Sequence, residues 1–317
     1  MFPPTTPRPR LALLEVALGA LLISFASVWV RLAPVGPTAA GFYRMLVGGV
    51  VLLVLAVARR ERLWAGGRAL AFVLVGSVLF AADLAFWHRS IHLVGPGLAT
   101  ILANFQVFLL AGFGIVVLRE RLDWRFGVAI VTALGGLLLL VGVDWRALPA
   151  GYRAGVGFGL LTALSYGAYL LVLRASQTRT GRLEPLPNLM AICWGTALLL
   201  GLLAVWQGES LVVPDGRTAA ILGVYGITAQ VVGWLLISRG IPYVEAGRAG
   251  LVLLLQPSLA FVWDILFFGR PTDVGDVAGA MLALGAIYLG TVGRHDGHDG
   301  RDGHDGRDGN DGNDGRG

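Results

Sequence analysis

The amino-acid sequence predicts an all-α integral membrane protein with ten transmembrane helices, arranged as two inverted five-helix repeats. Composition carries the membrane assignment, because 56% of the 317 residues are hydrophobic and only 14% are charged. A soluble chain carries about a quarter charged residues. A second observation, ten long apolar runs, predicts the spans, and a third, a match between the two halves, indicates the repeats. A soluble enzyme is therefore excluded.

Ten continuous apolar runs are long enough to cross a membrane. A helix that crosses the ~30 Å hydrocarbon core needs about 20 mostly apolar residues, whereas barrel strands would be alternating segments of about ten. Residues 1–10 precede the first run and are expected to form a short cytoplasmic leader rather than a cleavable signal peptide. The predicted spans are 11–32, 38–58, 69–88, 94–118, 126–143, 154–173, 188–206, 217–238, 244–268 and 273–292.

The arginines predict how the chain is oriented. All 25 basic residues are arginine, and with the N-terminus inside, fourteen of them fall in inner connections and six in outer ones. Because cytoplasmic loops carry the excess of basic residues, both termini are expected in the cytoplasm of a bacterium, with the protein in the inner membrane. The net charge of +5 reflects these membrane-flanking arginines, so no nucleic-acid partner is expected.

The tail, residues 293–317, differs from the rest of the chain. It consists of Asp-Gly triplets and has no apolar residue after Val292. Such a segment has nothing to bury and is predicted to be disordered. Its seven aspartates and three histidines allow weak binding of divalent cations, but a solvated low-complexity tail is the preferred interpretation.

An internal match indicates a duplication. The segment Arg89–Ala99 aligns with Arg239–Ala249 at five of eleven positions and an offset of 150 residues, half of a ten-helix chain. The repeats are placed at 11–143 and 154–292. Because five is odd, the two halves have opposite orientations in the membrane. Inverted repeats are typical of secondary transporters, with the binding site near the midplane.

The same region resembles a known family. Ile241–Ala249, followed by Leu-Leu-Gln-Pro257 and Leu-Phe-Phe-Gly269, is similar to the second repeat of EamA-type proteins in the drug/metabolite transporter superfamily. The first repeat resembles the pattern through Gly97–Ala99 and Leu118–Glu120. The resemblance implies transport of small metabolites, often amino-acid export, and does not identify the metabolite.

Two positions depart from the family pattern. Gly269-Arg270 replaces the usual Gly-Glu, and Phe108 lies where the family has proline in the first half. The departure at Phe108 puts a proline-induced bend in span 4 in doubt. In the second half Pro257 remains and is expected to bend span 9.

Five of the charged residues inside the predicted spans are considered as candidates for function, because ionisable groups at membrane depth are costly unless they are paired or face water. Arg44 and Asp83 each lie about six residues, or roughly 9 Å, from an outer helix end. They are expected to pair or to share a water-filled cavity, so a fixed ion pair and a role in substrate or proton binding are both open. Glu15 resembles the first-helix glutamate of related small multidrug exporters and is a coupling candidate, although it also lies near enough to the interface to reach water. Glu245 is expected to form a surface ion pair with Arg248.

Uncharged polar side chains at mid-span suggest a polar cavity with aromatic walls, the latter from Trp29, Trp87 and Trp234. Each polar group needs a partner from another helix or from water. They are Asn104, Gln106, Ser165, Tyr166, Tyr169, Gln230, Gln256 and Ser258. The predicted substrate-binding set is Asp83, Trp87, Asn104, Tyr166, Tyr169, Gln230 and Gln256, and the coupling candidates are Glu15, Asp83 and Arg44.

Glycines in spans 5 and 10 indicate close helix contact, within one chain or in a homodimer. They are Gly127, Gly135, Gly136 and Gly142 in span 5, and Gly275, Gly279, Gly285 and Gly290 in span 10.

The favoured function is a secondary transporter of a small metabolite, with amino-acid or related efflux by alternating access. The chain has no lysine and so no P-loop, and it has a single cysteine, Cys193, so no ATP drive, cofactor or metal site is expected. One alternative is a membrane-embedded lipid-modifying enzyme, which needs paired acid–base groups at an interface; only His88 and His92 share an outer loop region. Another is a non-transporting membrane scaffold. No enzymatic activity is expected.

Overall fold

The computed structural model describes residues 9–63, 66–106, 108–109, 124–141, 148–178, 185–240 and 252–292. Within these residues every regular element is helical. The elements are α1 (Pro9–Ser24), α2 (Ala26–Leu32), α3 (Pro37–Ala58), α4 (Gly67–Val94), α5 (Pro96–Asn104), α6 (Trp124–Val141), α7 (Ala150–Thr178), α8 (Pro185–Trp206), α9 (Gly216–Tyr225), the π-helix π1 (Gly226–Gly233), α10 (Trp234–Gly240), α11 (Leu255–Phe268) and α12 (Val274–Val292).

Six stretches of the described chain are long and apolar enough to cross a membrane. They are Leu11–Leu32, Pro37–Ala58, Gly67–Val94, Ala150–Leu173, Leu186–Trp206 and Gly216–Ile237. Three shorter apolar helices fall in predicted spans 5, 9 and 10: Gly127–Leu140, Leu255–Phe268 and Val274–Leu289. The protein is therefore a multi-pass membrane protein, whereas the predicted count of ten spans is not confirmed. The Glu245–Arg248 pair, the motifs Ile241–Ala249 and Leu118–Glu120, the leader up to residue 8 and the tail lie outside the described residues.

Helix α4 is longer than the prediction of 69–88. It runs on to Val94 and ends where Gly95 takes φ +87° before Pro96. Asp83 consequently lies eleven residues from the helix end, about 16 Å along the axis. This distance to the helix end is longer than the roughly 9 Å predicted from a span that ended at residue 88. The prediction that His88 and His92 lie in a loop was wrong, since both belong to α4 and His88 is fully buried.

Two helices of the first half begin with glycine and proline. Gly36 precedes Pro37 at the start of α3, and Gly95 precedes Pro96 at the start of α5. Proline suits a first helical position because it has no N–H that would need a partner there. Both helix starts can therefore be located from the sequence.

Helices break at corresponding places in the two halves. The first half is interrupted at Phe105, whose N–H bonds to Leu102 O three residues back, so the interruption forms without proline. The second half is interrupted at Leu254, immediately before α11 and three residues before Pro257. The bend expected at Pro257 stays a prediction, and the missing proline at Phe108 does not prevent an interruption in the first half.

The helices pair across the two halves in a reciprocal pattern. The first span, α1, packs on the third span of the second half at α10, and the third span, α4, packs on the first span of the second half, α7. The second, fourth and fifth spans pack on their own counterparts: α3 on α8, α5 on α11 and α6 on α12. Exchanging the halves turns the α1–α10 contact into the α4–α7 contact and leaves the other three contacts unchanged, as a two-fold relation requires. The repeat boundaries themselves stay a prediction.

Two hydrophobic clusters fill the interior. One gathers around α5, α6, α11 and α12 and includes Leu98 and Ile287, and the other gathers around α3, α4, α7 and α8 and includes Leu52 and Leu200. Large apolar side chains also face outward, such as Val205, which is 68% exposed. An apolar outer surface is what a lipid-facing bundle requires.

Candidate functional site

A cavity of about 380 Å³ lies between the two hydrophobic clusters and draws its walls from both halves. Ligand pockets in proteins span about 300–1,000 Å³, so this one is at the small end. Most of its wall is apolar. Its polar lining includes Arg44, Asp83, Asn104, Gln106, Tyr166 and Gln256.

Arg44 and Asp83 both line the cavity without forming an ion pair. Arg44 is 6% exposed and Asp83 is also 6% exposed. The Asp83 carboxylate has no hydrogen bond or ion pair to any residue that the structure describes. Of the two arrangements that the sequence predicted, the shared cavity is therefore observed and the direct pair is not.

The Arg44 guanidinium is held by neutral groups of the second half. Its Nε donates to Gln230 Oε1 at 3.1 Å, and its Nη1 donates to Tyr225 Oη at 3.2 Å. Gly48 lies one turn further along α3 and leaves the room that Gln230 occupies, because a Cβ there would lie 2.6 Å from Gln230 Cγ. The aromatic ring of Trp87 lies 6.0 Å from the guanidinium carbon and adds a cation–π contact.

The amide side chains divide by position. Asn104 lines the cavity and donates from Nδ2 to Thr100 O at 2.8 Å, one turn back on its own helix. Gln106 and Gln256 also line it, beside the helix breaks of the two halves, and they are equivalent at the offset of 150 residues found in the sequence. Gln106 Oε1 is buried and has no partner among the described residues.

Besides Ser165 and Ser258, four predicted residues lie away from the cavity lining. Tyr169 is 1% exposed and stacks on Phe80 at 4.6 Å, so of the two neighbouring tyrosines only Tyr166 lines the cavity. Gln230 is fully buried behind Arg44 and also donates to Cys193 Sγ. Trp29 packs against the hydrophobic cluster formed around α5, α6, α11 and α12. Of the three tryptophans predicted to form the cavity wall, only Trp87 and Trp234 line it. These placements correct the expectation that Tyr169, Gln230 and Trp29 face the cavity, because the rotation of each helix turns the side chain elsewhere.

Glu15, the fourth, is ion-paired away from the cavity. Its Oε1 lies 3.4 Å from Arg239 Nη2, and Arg239 is 72% exposed. This contact joins α1 to α10. The coupling role of Glu15 stays a prediction.

Several lining residues were not anticipated from the sequence, although a signal was present. They repeat three or four residues apart along one helix face, which places side chains on the same side of a helix. The unanticipated residues are Ser24 and Ser27, Thr100 beside the predicted Asn104, and Thr162 beside the predicted Tyr166.

A polar cluster, which we call the Glu209 latch, joins the halves at one end of the bundle. Glu209 Oε2 accepts the N–H groups of Thr38 and Ala39 at the start of α3, at 3.0 and 3.1 Å. Its Oε1 accepts from Thr38 Oγ1 at 2.8 Å and lies 3.8 Å from Arg89 Nη2. A carboxylate at a helix N-terminus satisfies free N–H groups and opposes the helix dipole.

A second cluster, the Asp264 latch, has the same construction at the same end. Asp264 Oδ2 accepts the N–H of Gly97 at the start of α5 at 3.0 Å and lies 3.5 Å from Arg270 Nη1. Gly95 is required there, because it has φ +87° and a Cβ would lie 2.5 Å from the carboxylate. Arg270 also donates to Val94 O at 3.2 Å. The arginine that departs from the family's Gly-Glu therefore neutralises a buried carboxylate.

Comparison with known proteins places the chain in a family. The model of the EamA-like transporter family matches residues 10–142 and 153–292. The uncharacterized transporter YwfM of Bacillus subtilis (strain 168) is 24% identical over 266 residues, covering 81% of this chain and 86% of that protein. The UDP-galactose translocator of Mus musculus is 30% identical over 207 residues, covering 60% of this chain and 51% of that one.

A solved protein crystal structure has the same fold. It superposes with a TM-score of 0.61 at 18% identity and covers 89% of this chain and 96% of the other. At this identity the likeness concerns the fold alone. Since the family model covers both halves, this membrane protein belongs to the EamA-like transporter family.

Proposed function

We propose that the chain is a secondary transporter that moves a small metabolite across a bacterial inner membrane by alternating access of two inverted halves. The observation that best supports this proposal is the cavity between the halves, where Arg44 and Asp83 lie without an ion pair between them. Two charges at membrane depth that have no ion-pair partner in the part of the chain that the structure describes are costly in a purely structural protein. A polar ligand that passes through the cavity provides the interaction partners that these two charges need.

The helix breaks and the latches support alternating access. Broken helices beside a central site are a recurring feature of inverted-repeat transporters, and Gln106 and Gln256 lie beside the two breaks. Both latches close the end where α3 and α5 begin, which is the outer end in the predicted topology with cytoplasmic termini. Opening that end requires the second-half carboxylates Glu209 and Asp264 to leave first-half helix starts.

Amino-acid or related efflux is the proposed activity. The cavity has one cationic and one anionic side chain and a mostly apolar wall. The UDP-galactose translocators raise a second candidate, a nucleotide sugar. A nucleotide sugar carries two phosphates, and one guanidinium beside a carboxylate in a cavity of about 380 Å³ suits it less well. A lipid-modifying role has no support at His88, which is buried and bonded to Tyr225.

Flux in proteoliposomes tests the proposal. Purified protein is reconstituted and uptake and efflux are measured for amino acids, organic cations and a nucleotide sugar, with and without a pH gradient. Transport of an amino acid supports the proposal. Asp83→Asn and Glu15→Gln then assign the coupling group, since a carboxylate that carries the coupling proton gives flux indifferent to pH when it is replaced. No flux of any solute contradicts transport and favours the scaffold alternative.

A further inference from the structure

The eighth span contains the π-helix π1 between α9 and α10. It covers eight residues, Gly226–Gly233, whereas the segments on both sides are α-helical. A π-helix is bonded from residue i to i+5, so it holds one residue more in each hydrogen-bonded turn than an α-helix. Such helices are rare and occur mostly as single turns, frequently at functional sites. A specific cause for this winding is therefore expected.

The local sequence weakens the α-helical winding of this segment. Thr228 Oγ1 donates to Val224 O at 2.7 Å, the carbonyl to which the Thr228 N–H would bond in an α-helix. Such back-bonding by a hydroxyl slightly destabilises an α-helix. Glycine at both ends of π1, Gly226 and Gly233, lowers the preference for α-helix further. These features narrow the free-energy difference between the two windings.

The π winding brings Tyr225 and Gln230 onto one guanidinium. Arg44 Nη1 donates to Tyr225 Oη at 3.2 Å, and Arg44 Nε donates to Gln230 Oε1 at 3.1 Å. The two acceptors are five positions apart, which in an α-helix is about 140° beyond a full turn. Their side chains would then point apart, whereas bonding from i to i+5 places them one turn apart on one face. Arg44 therefore stabilises the π winding of this span.

Two further contacts hold the same side chains. Tyr225 Oη lies 3.0 Å from His88 Nε2, and Gln230 Nε2 donates to Cys193 Sγ at 3.4 Å. All four of these residues are fully buried. Hydrogen bonds from α3, α4 and α8 thus select the π winding. Because Arg44 also lines the cavity, the residue that stabilises π1 is in contact with whatever enters the cavity.

A change of π1 to α-helix would turn α10. At constant chain length the α winding advances the following residues by one place, which is about 100° of rotation and 1.5 Å along the axis. Trp234 and Ile237 of α10 line the cavity, whereas Leu236 is half-buried and lies off the lining. After the change Leu236 would occupy the present place of Ile237.

The same turn would move α1 away from α10. A Cβ at Gly240 would lie 2.5 Å from Ala12 O of α1, so the two backbones are in direct contact there. After an advance of one place Arg239 would stand where Gly240 stands, and Val232 would stand where Gly233 stands. Neither side chain has room against α1 in its present position. A local change of winding is thereby converted into a movement of the first half against the second.

We infer that π1 is a switch whose change to α-helix releases Gln230 from Arg44, turns α10 and moves α1. The structure shows the π-helical state. A solute that engages Arg44 in the cavity competes with Gln230 for the guanidinium and so favours the change. This inference rests on the proposed function and adds how the cavity is linked to movement of the halves.

Cysteine labelling measures the turn of α10. Leu236→Cys and Ile237→Cys are made one at a time in a Cys193→Ser background, since serine keeps an acceptor for Gln230. The full-length protein in nanodiscs is labelled with aminoethyl methanethiosulfonate, which is small and soluble in water. Both cysteines are expected to react, Ile237→Cys from the π-helical state and Leu236→Cys from the α-helical state.

Deletion of Ile227 is expected to abolish the switch. It leaves Tyr225 and Gln230 four positions apart, on one face of an α-helix, so both bonds to Arg44 and the orientation of α10 are kept without a π-helix. Labelling of Leu236→Cys should fall about tenfold or more, because the turned state is lost, while labelling of Ile237→Cys stays unchanged. Ile227 is 43% exposed, and Ile227→Ala, which keeps the chain length, is the matched control with both rates unchanged.

Gln230→Leu tests the switch in a chain of normal length. It removes the bond from Arg44 to π1 and should favour the α winding, so labelling of Leu236→Cys should rise about tenfold while labelling of Ile237→Cys falls. A variant that merely loosens the bundle would raise both rates together. Opposite changes at adjacent positions are therefore specific to a turn of α10.

The outcomes distinguish the switch from the proposed function. Unchanged labelling of Leu236→Cys in both the deletion and Gln230→Leu overturns the inference, and so does equal acceleration at both cysteines. In proteoliposomes the deletion should lower the flux of the transported solute about tenfold, whereas Ile227→Ala should not. Normal flux in the deletion variant overturns the inference and leaves transport intact. The expected labelling pattern without any flux by the unaltered protein supports the switch and contradicts transport.

Discussion

Replacing Gly136 with alanine is expected to destabilise the protein, whereas the same replacement at the adjacent Gly135 is not. Gly136 lies where α6 meets α12, and a Cβ at this position would lie 2.6 Å from Ala283 N and 2.7 Å from Gly279 O. Both are backbone atoms, which cannot rotate out of the way. At Gly135 a Cβ would have no atom within 4 Å.

The magnitude follows from these distances. An ordinary contact begins near 3.4 Å, so α12 must move outward by about 0.8 Å, which removes roughly a quarter to a half of the dispersion energy at that contact. Overpacking of this kind costs about 1–3 kcal/mol. Within a helix, alanine is otherwise favoured over glycine by about 0.5–1 kcal/mol. The Gly135→Ala variant should be slightly more stable than the wild type, and the two variants should differ by the overpacking cost of about 1–3 kcal/mol, since the helix preference for alanine applies to both.

Thermal unfolding of the detergent-solubilised protein, followed by tryptophan fluorescence, measures the difference. A second matched pair lies on the other helix, since Gly279→Ala would meet Gly136 O at 2.8 Å and Gly285→Ala would meet nothing within 4 Å. Both contacts lie within one chain, so the effect should not depend on protein concentration. Equal stability of the Gly135 and Gly136 variants would refute the reasoning.

Three further predictions concern the charged groups. Asp83→Asn should leave the unfolding midpoint unchanged, because the carboxylate has no described partner to lose, and should lower amino-acid flux about tenfold; a lowered midpoint with normal flux would contradict this. Glu209→Gln combined with Asp264→Asn should open the latch end and speed the labelling of Asn104→Cys by an impermeant maleimide in a Cys193→Ala background; an unchanged rate would contradict the latches. The Thr218 amide donates to Asp215 and lowers the pKa of that carboxyl below 3.8. Its stabilising contribution is therefore present above about pH 4 and lost as pH falls through the lowered pKa, so Asp215→Asn should reduce the loss of stability between pH 5 and pH 3 seen by thermal unfolding.

The membrane character and most helix positions could be predicted from the sequence. Six of the predicted spans correspond to membrane-length helices, with ends that differ by a few residues. Hydrophobicity and length are local properties, and a helix in lipid satisfies its backbone hydrogen bonds within its own segment. The largest error concerned the C-terminal end of α4, which was predicted at residue 88. The polar side chain of His88 suggested a loop, but neighbouring helices bury it and Tyr225 bonds to it.

The sequence by itself also identified the two charged residues of the cavity lining, Arg44 and Asp83, because any ionisable group in a long apolar run is exceptional. Only the tertiary structure decided what each of them contacts. The partner of Arg44 is Gln230, 186 positions away in the chain, and not Asp83. Contacts of this kind depend on how helices from different parts of the chain are placed beside one another.

The same distinction separates Tyr166 from Tyr169 and Gly136 from Gly135. Each pair is close in sequence and alike in chemistry, yet one member faces the cavity or the neighbouring helix and the other does not. Composition determines that a span lies in the membrane, whereas its rotation about its own axis determines which side chains face inward. In this protein that rotation is set by packing between the halves, so the sequence determined the spans and their charges, and the tertiary structure determined the site.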